Sequence, residues 1–201
     1  MYFIFIRMVI LLVDTYEYDV YIFEDEAVYE HLPFYENITH EWLTNRDLSI
    51  KKLSVAKYVI KNHKRYYVNK INKVVHKNRE VENAKWFIEL MGGRLDYLPD
   101  INEDMGVQCA DYRYYPPHSK KCYYIEEKET HGKSKNVFYH ALEGKEKQAN
   151  VFIIDCTNSH FTEAEIYQCL NFIFSSFKMS YVKIIIIKNN NQLFGVFKKR
   201  E

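Results

Sequence analysis

Two carboxylates and an amine are spaced along this chain so that they could meet on one surface of a small sheet. Asp111 opens an Asp-Tyr-Arg-Tyr-Tyr stretch, Pro116-Pro117 interrupts it, and a second stretch, Cys-Tyr-Tyr-Ile-Glu-Glu-Lys, ends at Lys128. Tyrosine and isoleucine favour strands and paired prolines cannot continue a ladder, so we predict two adjacent strands joined by a turn. Glu126 and Lys128 are two residues apart and therefore share a face of the second strand.

This combination of residue types permits three interpretations. A solvent-facing charged patch on an edge hairpin explains the spacing without any chemistry. An aspartate followed by Glu-x-Lys is also the arrangement of metal-dependent PD-(D/E)xK nucleases, although Ala110 stands where those enzymes have proline. There, Asp111 and Glu126 would hold Mg²⁺ and Lys128 would lie near the scissile phosphate. The same face also permits a ribonuclease without a metal, in which acid and base groups activate a ribose 2′-hydroxyl.

Several other polar residues are candidates for the same site. A histidine titrates near neutral pH and is a natural proton carrier, and strand residues two apart share a face. Cationic loop residues suit a phosphate, although a solvated loop or loop capping explains these residues equally well. The candidates are His131 for proton transfer, Arg113, Lys133, Lys135 and Thr157 for substrate binding, and Glu82 and Gln148 in support.

Composition limits the class of protein. The chain has 201 residues, and its 28 Lys and Arg nearly balance its 27 Asp and Glu, so any basic surface must be local. None of the four cysteines belongs to a C-x-x-C pair, which argues against a zinc site or a disulfide framework. The apolar run at residues 3–13 contains Arg7 and falls short of the ~20 residues that cross a bilayer. We therefore expect a buried strand there and no membrane partner.

Hydrophobic periodicity predicts an α+β fold with a mixed, mostly antiparallel sheet flanked by helices and a short N-terminal appendage. Residues 1–59 are expected to be an extension of unknown role and residues 60–201 a nuclease-like domain. The predicted helices cover residues 50–62, 79–91, 136–148 and 163–174, the last preceded by a capping box at Thr162. Strands are predicted at residues 94–98, 151–156, 182–188 and 193–197.

From about Tyr66 onward the chain resembles a known family, the C-terminal tRNA-nuclease domain of bacterial contact-dependent growth-inhibition (CdiA-type) toxins. Related domains occur in phage and mobile-element proteins and are grouped with barnase–EndoU–colicin–RelE-like nucleases. The resemblance covers about two-thirds of the chain. Its matching stretches, in order, are residues 66–68, 74–75, 79–87, 91–93, 98–99, 101–102, 106–112, 126–129, 132–136, 147–149, 152–155 and 184–188.

The resemblance implies a toxin-type endoribonuclease that acts on tRNA or another RNA in the cytoplasm and has a cognate immunity protein. For such a ribonuclease, the residue types and their spacing predict that Asp111, Glu126, Lys128 and His131 are catalytic, without a cofactor. The family pattern Asp-Leu-Lys-Glu is here Glu126-Glu127-Lys128-Glu129, so the acid is one methylene longer and a charge replaces leucine. The alternatives are an Mg²⁺-dependent DNA endonuclease, with Asp111 and Glu126 as metal ligands, and an inactive relative that binds nucleic acid or protein.

Overall fold

The computed structural model describes residues 32–61, 64–67, 78–98 and 109–201. The strand expected at residues 3–13 lies outside these ranges. Contacts group Pro33–Glu201 into one compact unit. Its elements are β1 (Tyr35–Asn37), α1 (Thr39–Thr44), β2 (Asp47–Val55), β3 (Tyr58–Lys61), β4 (Lys64–Tyr67), α2 (Asn78–Met91), β5 (Gly92–Tyr97), β6 (Tyr112–Tyr115), β7 (Tyr123–Glu129), α3 (Val137–Leu142), β8 (Val151–Asp155), α4 (Glu163–Ser175), a 3-10 turn (Phe177–Met179), β9 (Ile184–Asn189) and β10 (Gln192–Lys199).

Eight of these strands form one sheet in the order β1-β10-β9-β8-β7-β6-β5-β2, and β3 and β4 pair separately. The pairs β7–β8, β8–β9 and β2–β5 are parallel, whereas the other four neighbouring pairs of the large sheet are antiparallel. The predicted α+β class with a mixed, mostly antiparallel sheet flanked by helices is therefore confirmed.

Helices cover both faces of the sheet. Val151 and Ile153 of β8 pack in the same cluster as α2, whereas Phe152 and Ile154, which point the other way, pack with α3 and α4. A strand buried on both faces is expected to be apolar throughout, which explains the continuous Val/Ile-rich character of β8 and β9. We call the two sides of the sheet the α2 face and the α3–α4 face.

The helix predicted at residues 79–91 is present, and Gly92 ends it with a φ of 69°. A Cβ at Gly92 would lie 2.2 Å from the carbonyl oxygen of Asp47, so glycine serves both the left-handed turn and the close approach of β2. The capping box at Thr162 is also confirmed: Thr162 accepts a hydrogen bond from the Glu165 backbone, and the Glu165 carboxylate accepts one from the Thr162 backbone.

Two predicted helices are wrong in whole or in part. Residues 50–61, the described part of the first range, form most of β2 and all of β3 instead of a helix, because β2 pairs in parallel with β5 over residues far apart in sequence. The helix expected to reach residue 148 ends at Leu142, two residues before Gly144 adopts a φ of 77°. The sheet also includes strands that precede residue 60: β1 and β2 form its two edges.

Candidate active site on the hairpin of β6 and β7

The hairpin of β6 and β7 brings the three predicted central residues together on the α3–α4 face. Tyr112 pairs with Ile125 across the hairpin, so Asp111, which directly precedes β6, lies beside Glu126. Lys128 Nζ donates a hydrogen bond of 2.5 Å to Glu126 Oε1. The Asp111 carboxylate also accepts a 2.7 Å hydrogen bond from the backbone N–H of Glu127, which fixes it against β7.

Glu126 is the buried member of this group. It is 3% exposed, while the Lys128 side chain retains 25% exposure and Asp111 is half-buried. Burial and the neighbouring negative charge of Asp111 raise the pKa of Glu126 to about 7, and the nearby lysines act in the opposite direction. Its Oε2 atom is buried and has no hydrogen-bond partner among the described residues. A hydrogen-bond donor or a cation at Oε2 would satisfy this atom.

A second lysine belongs to the group and was not predicted from the sequence. Lys145 Nζ lies 3.9 Å from Glu126 Oε1, and the Lys145 side chain is 30% exposed. It is located in the turn that follows α3, where its backbone carbonyl accepts hydrogen bonds from the N–H groups of Gln148 and Ala149. No motif identifies Lys145, because its position depends on how α3 packs against β7.

Arg113 lies on the same face as Glu126, as expected from the alternation along β6, but it already has protein partners. Its guanidinium donates a 3.1 Å hydrogen bond to Asp96 Oδ2 and lies over the rings of Tyr58 and Tyr115. At 6% exposure it is buried. Arg113 therefore lies beside the site, in contact with Asp96 and the two tyrosine rings.

The α2 face of the same strand carries a separate polar cluster, which we call the α2-face network: Asn83, Glu127, Asp155 and Lys188. Asn83 Nδ2 donates hydrogen bonds to Glu127 Oε1 at 2.8 Å and to Asp155 Oδ2 at 3.1 Å. Lys188 Nζ donates to Asn83 Oδ1 at 2.6 Å and to Asp155 Oδ2 at 3.0 Å. All four residues are buried. The network ties α2 to the ends of β7, β8 and β9.

Two other residues, Arg79 and Tyr112, contact this network from its edge. Arg79 donates to Glu127 at 3.0 Å and to Glu129 at 2.5 Å, and the Tyr112 hydroxyl donates to Glu127 at 2.5 Å. Burial raises the pKa of Glu127, whereas the hydrogen bonds from Tyr112, Asn83 and Arg79 lower it. Two adjacent glutamates in an apolar strand were the only sequence signal for this second cluster.

The remaining predicted residues do not join Glu126. His131 is 76% exposed, and its Nε2 lies 3.7 Å from Glu129, whose side chain points to the α2 face. Thr157 accepts a hydrogen bond from the Asn191 backbone beside Asp155. Glu82 is exposed on α2, which covers the face opposite to Glu126.

Three other predicted residues are near the α3 side of the molecule. Lys133 and Lys135 are exposed in the loop before α3. The pKa of Glu165 is lowered mainly by the hydrogen bonds that its carboxylate accepts from Thr162, and the charge of Lys133 lowers it further. Gln148 is half-buried in the same turn as Lys145, and its Oε1 has no hydrogen-bond partner among the described residues. The group around Glu126 therefore contains fewer of the predicted residues than expected, and Lys145 is an additional member.

No group of three or more His, Cys, Asp or Glu side chains in the described ranges is arranged to hold a metal ion. In that same part of the chain, every helix is too short or too polar to cross a membrane.

Residues 123–193 match the family model of the contact-dependent growth inhibition CdiA C-terminal domain. The resemblance inferred from the sequence is confirmed there, and the match supports a toxin of contact-dependent growth inhibition. No curated protein and no solved structure is significantly similar to the chain.

The CdiA C-terminal match runs from the first residue of β7 to the second residue of β10. It therefore contains Glu126, Lys128 and Lys145, together with Glu127, Asp155 and Lys188 of the α2-face network. Asp111 and Asn83 precede it. The site and the network are each completed by residues that lie before the matched segment.

Proposed function

We propose that the chain is a toxin nuclease that cleaves phosphodiester bonds in RNA, with tRNA as the substrate. The observation that carries this proposal is the convergence of Asp111, Glu126 and Lys128 on one face of two adjacent strands, the second of which belongs to the segment that matches the CdiA C-terminal domain. A toxin of this kind is expected to act in the cytoplasm of its target and to be neutralised by a cognate immunity protein.

The proposed roles follow from exposure and charge. Lys128 and Lys145 retain exposure and would contact the scissile phosphate, where ammonium groups stabilise the negative charge that develops on its oxygens. Glu126 has its pKa raised to about 7, which suits a group that takes and returns a proton near neutral pH. The proton would come from the ribose 2′-hydroxyl that attacks the phosphate. His131 lies outside this centre and is proposed only as a contact for the flanking RNA.

A second candidate function is favoured by the pairing of two carboxylates. Asp111 raises the pKa of Glu126 by its charge, and Glu126 Oε2 lacks a partner among the described residues. Two neighbouring carboxylates fit a divalent cation with oxygen ligands such as Mg²⁺, which would stabilise charge on the phosphate. In that case Asp111 and Glu126 position the ion, Lys128 orients the phosphate, and DNA is an alternative substrate.

The test is incubation of the purified protein with total tRNA. Asp111→Ala combined with Lys128→Ala is expected to reduce cleavage by about 100-fold or more, the scale for removing one group that stabilises the charge of the transition state. The matched control is Glu163→Ala with Lys178→Ala, which removes an exposed acid and an exposed lysine elsewhere on the molecule. Cleavage by the double site variant at the wild-type rate, with an unchanged circular-dichroism spectrum, would show that the site is wrong.

The same assay separates the two chemistries. Cutting that continues in EDTA and leaves 2′,3′-cyclic-phosphate ends supports attack by the 2′-hydroxyl. Cutting that stops in EDTA and returns with Mg²⁺ supports the metal-dependent candidate. Growth arrest upon expression, relieved by Asp111→Ala with Lys128→Ala, would exclude an inactive binding relative.

A further inference from the structure

A cleft lies at the opposite end of the hairpin from the candidate active site. Its volume is about 740 Å³, and its walls come from α1 and its C-terminal turn on one side and from the turn between β6 and β7 on the other. Tyr114 and Tyr123, which line it, belong to the cluster on the α2 face. The cleft therefore opens on the other side of the sheet from Glu126 and Lys128.

The charges around this cleft are strongly unequal. Among the described residues, four basic side chains line it, those of Arg46, His118, Lys120 and Lys121, whereas Glu41 is the only acidic lining residue. His118 is already paired with Asp47 at 3.0 Å. Lys120 and Lys121 are exposed, and no carboxylate of the described residues forms an ion pair with either. For a protein of net charge +1, this is a local concentration of positive charge.

Aromatic rings line the same cleft. Trp42 is half-buried and packs against Tyr114, with ring centroids 6.2 Å apart, and against Tyr123, with centroids 5.4 Å apart. Both tyrosines also line the cleft. Their rings fix the position of the indole, which itself borders the open space of the cleft. Fixed aromatic surfaces beside cationic side chains are the combination that binds unpaired nucleotides, because bases stack on rings and phosphates meet the cations.

We propose that this cleft binds a single-stranded segment of the RNA substrate at a distance from the scissile bond. Bases would stack at Trp42, and phosphates would contact Lys120 and Lys121. Tyr123 is three residues before Glu126 and five before Lys128 on β7, which places the cleft roughly 10–17 Å along the strand from these two residues. Binding energy from such remote contacts contributes to affinity and specificity. This inference rests on the proposed function, since it assumes an RNA substrate.

The binding experiment uses a reporter that the sequence supplies. The chain has two tryptophans, so Trp86→Phe leaves Trp42 as its sole indole. In an Asp111→Ala, Lys128→Ala background, which prevents cleavage, an eight-nucleotide oligouridylate and total tRNA are each expected to quench Trp42 fluorescence. Adding Lys120→Glu with Lys121→Glu is expected to weaken both affinities by about tenfold or more and to flatten the slope of log affinity against log salt by about 1.4, the value for two lost single-strand phosphate contacts.

The control reverses the same number of charges elsewhere. Lys178 and Lys183 are exposed and do not line the cleft, so Lys178→Glu with Lys183→Glu should leave the quenching and most of the affinity unchanged. The neutral pair Lys120→Gln with Lys121→Gln and a thermal melt of each variant separate loss of binding from loss of folding. Equal affinities, slopes and quenching in the cleft variant and the control would overturn the inference.

Cleavage assays with otherwise wild-type protein distinguish this inference from the proposed function. If the protein cuts tRNA and the cleft variant cuts a trinucleotide normally but tRNA poorly, both stand. If the protein cuts tRNA and the cleft variant does so equally well at subsaturating tRNA, only the cleft inference falls. If the protein cuts no RNA, the proposed function is wrong, and the quenching of Trp42 fluorescence alone decides whether the cleft binds RNA. Unchanged RNA affinity with lost binding to the protein encoded by the adjacent gene would assign the cleft to a protein partner and overturn the inference.

Discussion

Glu126 shows how one buried carboxyl links stability to chemistry. Its pKa is raised from an ordinary value of 4.5 to about 7 because burial and Asp111 disfavour the charged form more than Lys128 and Lys145 favour it. Between these two pH values the folded protein holds a proton that the unfolded chain has released. The free energy of unfolding must therefore fall as pH rises through this window, and the contribution of Glu126 is constant above it.

This sign gives a residue-scale prediction for Glu126→Gln. The wild-type protein should lose about 2–3 kcal/mol relative to the variant between pH 5 and pH 8, since each unit of pKa shift corresponds to about 1.4 kcal/mol. Urea unfolding of both proteins at the two pH values measures the difference. Asp111→Asn should reduce the effect by removing the nearby negative charge. A wild-type-minus-variant difference that is the same at both pH values would contradict the assigned environment of Glu126.

The residue types of the centre were predictable, and their neighbours were not. Alternation along β7 and the turn at Pro116-Pro117 were enough to place Asp111, Glu126 and Lys128 together. Lys145 could not be found, because its distance from Glu126 depends on where α3 ends and how the next turn folds back. His131 and Thr157 were expected near the centre, but the direction taken by each loop places them beside the α2 face.

At the scale of elements, the α2-face network holds one helix against three strands. Lys188 is buried and has Asn83 and Asp155 as hydrogen-bond partners. Burial acts to raise the pKa of Asp155, but hydrogen bonds from Thr157 and Lys188 outweigh it and lower that pKa. A buried ion pair adds little net stability, yet removal of one partner leaves an uncompensated charge. The network is therefore most vulnerable to single substitutions.

We expect Asp155→Ala to lower the free energy of unfolding by about 3–5 kcal/mol, because Lys188 would keep Asn83 as its only buried acceptor among the described residues. Adding Lys188→Met removes the stranded ammonium, so the double variant should recover part of that loss. Chemical denaturation of the wild type, the two single variants and the double variant completes the cycle. A double variant whose loss equals the sum of the two single losses would show that Asp155 and Lys188 are not coupled.

Local sequence was a good guide to some elements and a poor one to others. The apolar stripe of α2, Gly92 at its end and the capping box at Thr162 each act within a few residues, so they were readable. Strand β2 was not, because Asp47–Val55 gains its hydrogen bonds from β5, some forty residues later in the chain. A strand of this kind carries no local signal that outweighs a helical interpretation.

The whole molecule depends on segments that the sequence alone placed outside the domain. β1 pairs with β10, and Tyr35 packs against Phe174 and Phe197 in the core, while β2 covers the opposite edge of the sheet. The compact unit begins at Pro33. The predicted boundary at residue 60 would remove both edges and leave the core side chains that they cover in water.

A chain that starts at Pro33 is therefore expected to unfold cooperatively, whereas a chain that starts at residue 60 should be largely unfolded or aggregated. Loss of Tyr35 alone would expose apolar surface worth roughly 2 kcal/mol, a substantial fraction of the 5–15 kcal/mol that stabilises a typical domain. Thermal unfolding followed by circular dichroism and gel filtration measures both chains. Equal melting temperatures for the two chains would restore residue 60 as the start of the folded unit.

Alternate side chains of strand β7 face α2 on one side of the sheet and α3 and α4 on the other, and this constrains insertions and deletions in the strand. An added or deleted residue between Tyr123 and Glu126 would turn each following side chain to the other layer. Glu126 and Lys128 would then be buried under α2, and Glu127 would lose its contact with Asn83. A single insertion or deletion would therefore disrupt both the candidate site and the α2-face network. Length changes between homologues should instead collect in the turn at residues 116–122, where they would reshape the cleft and leave the positions of Glu126 and Lys128 unchanged.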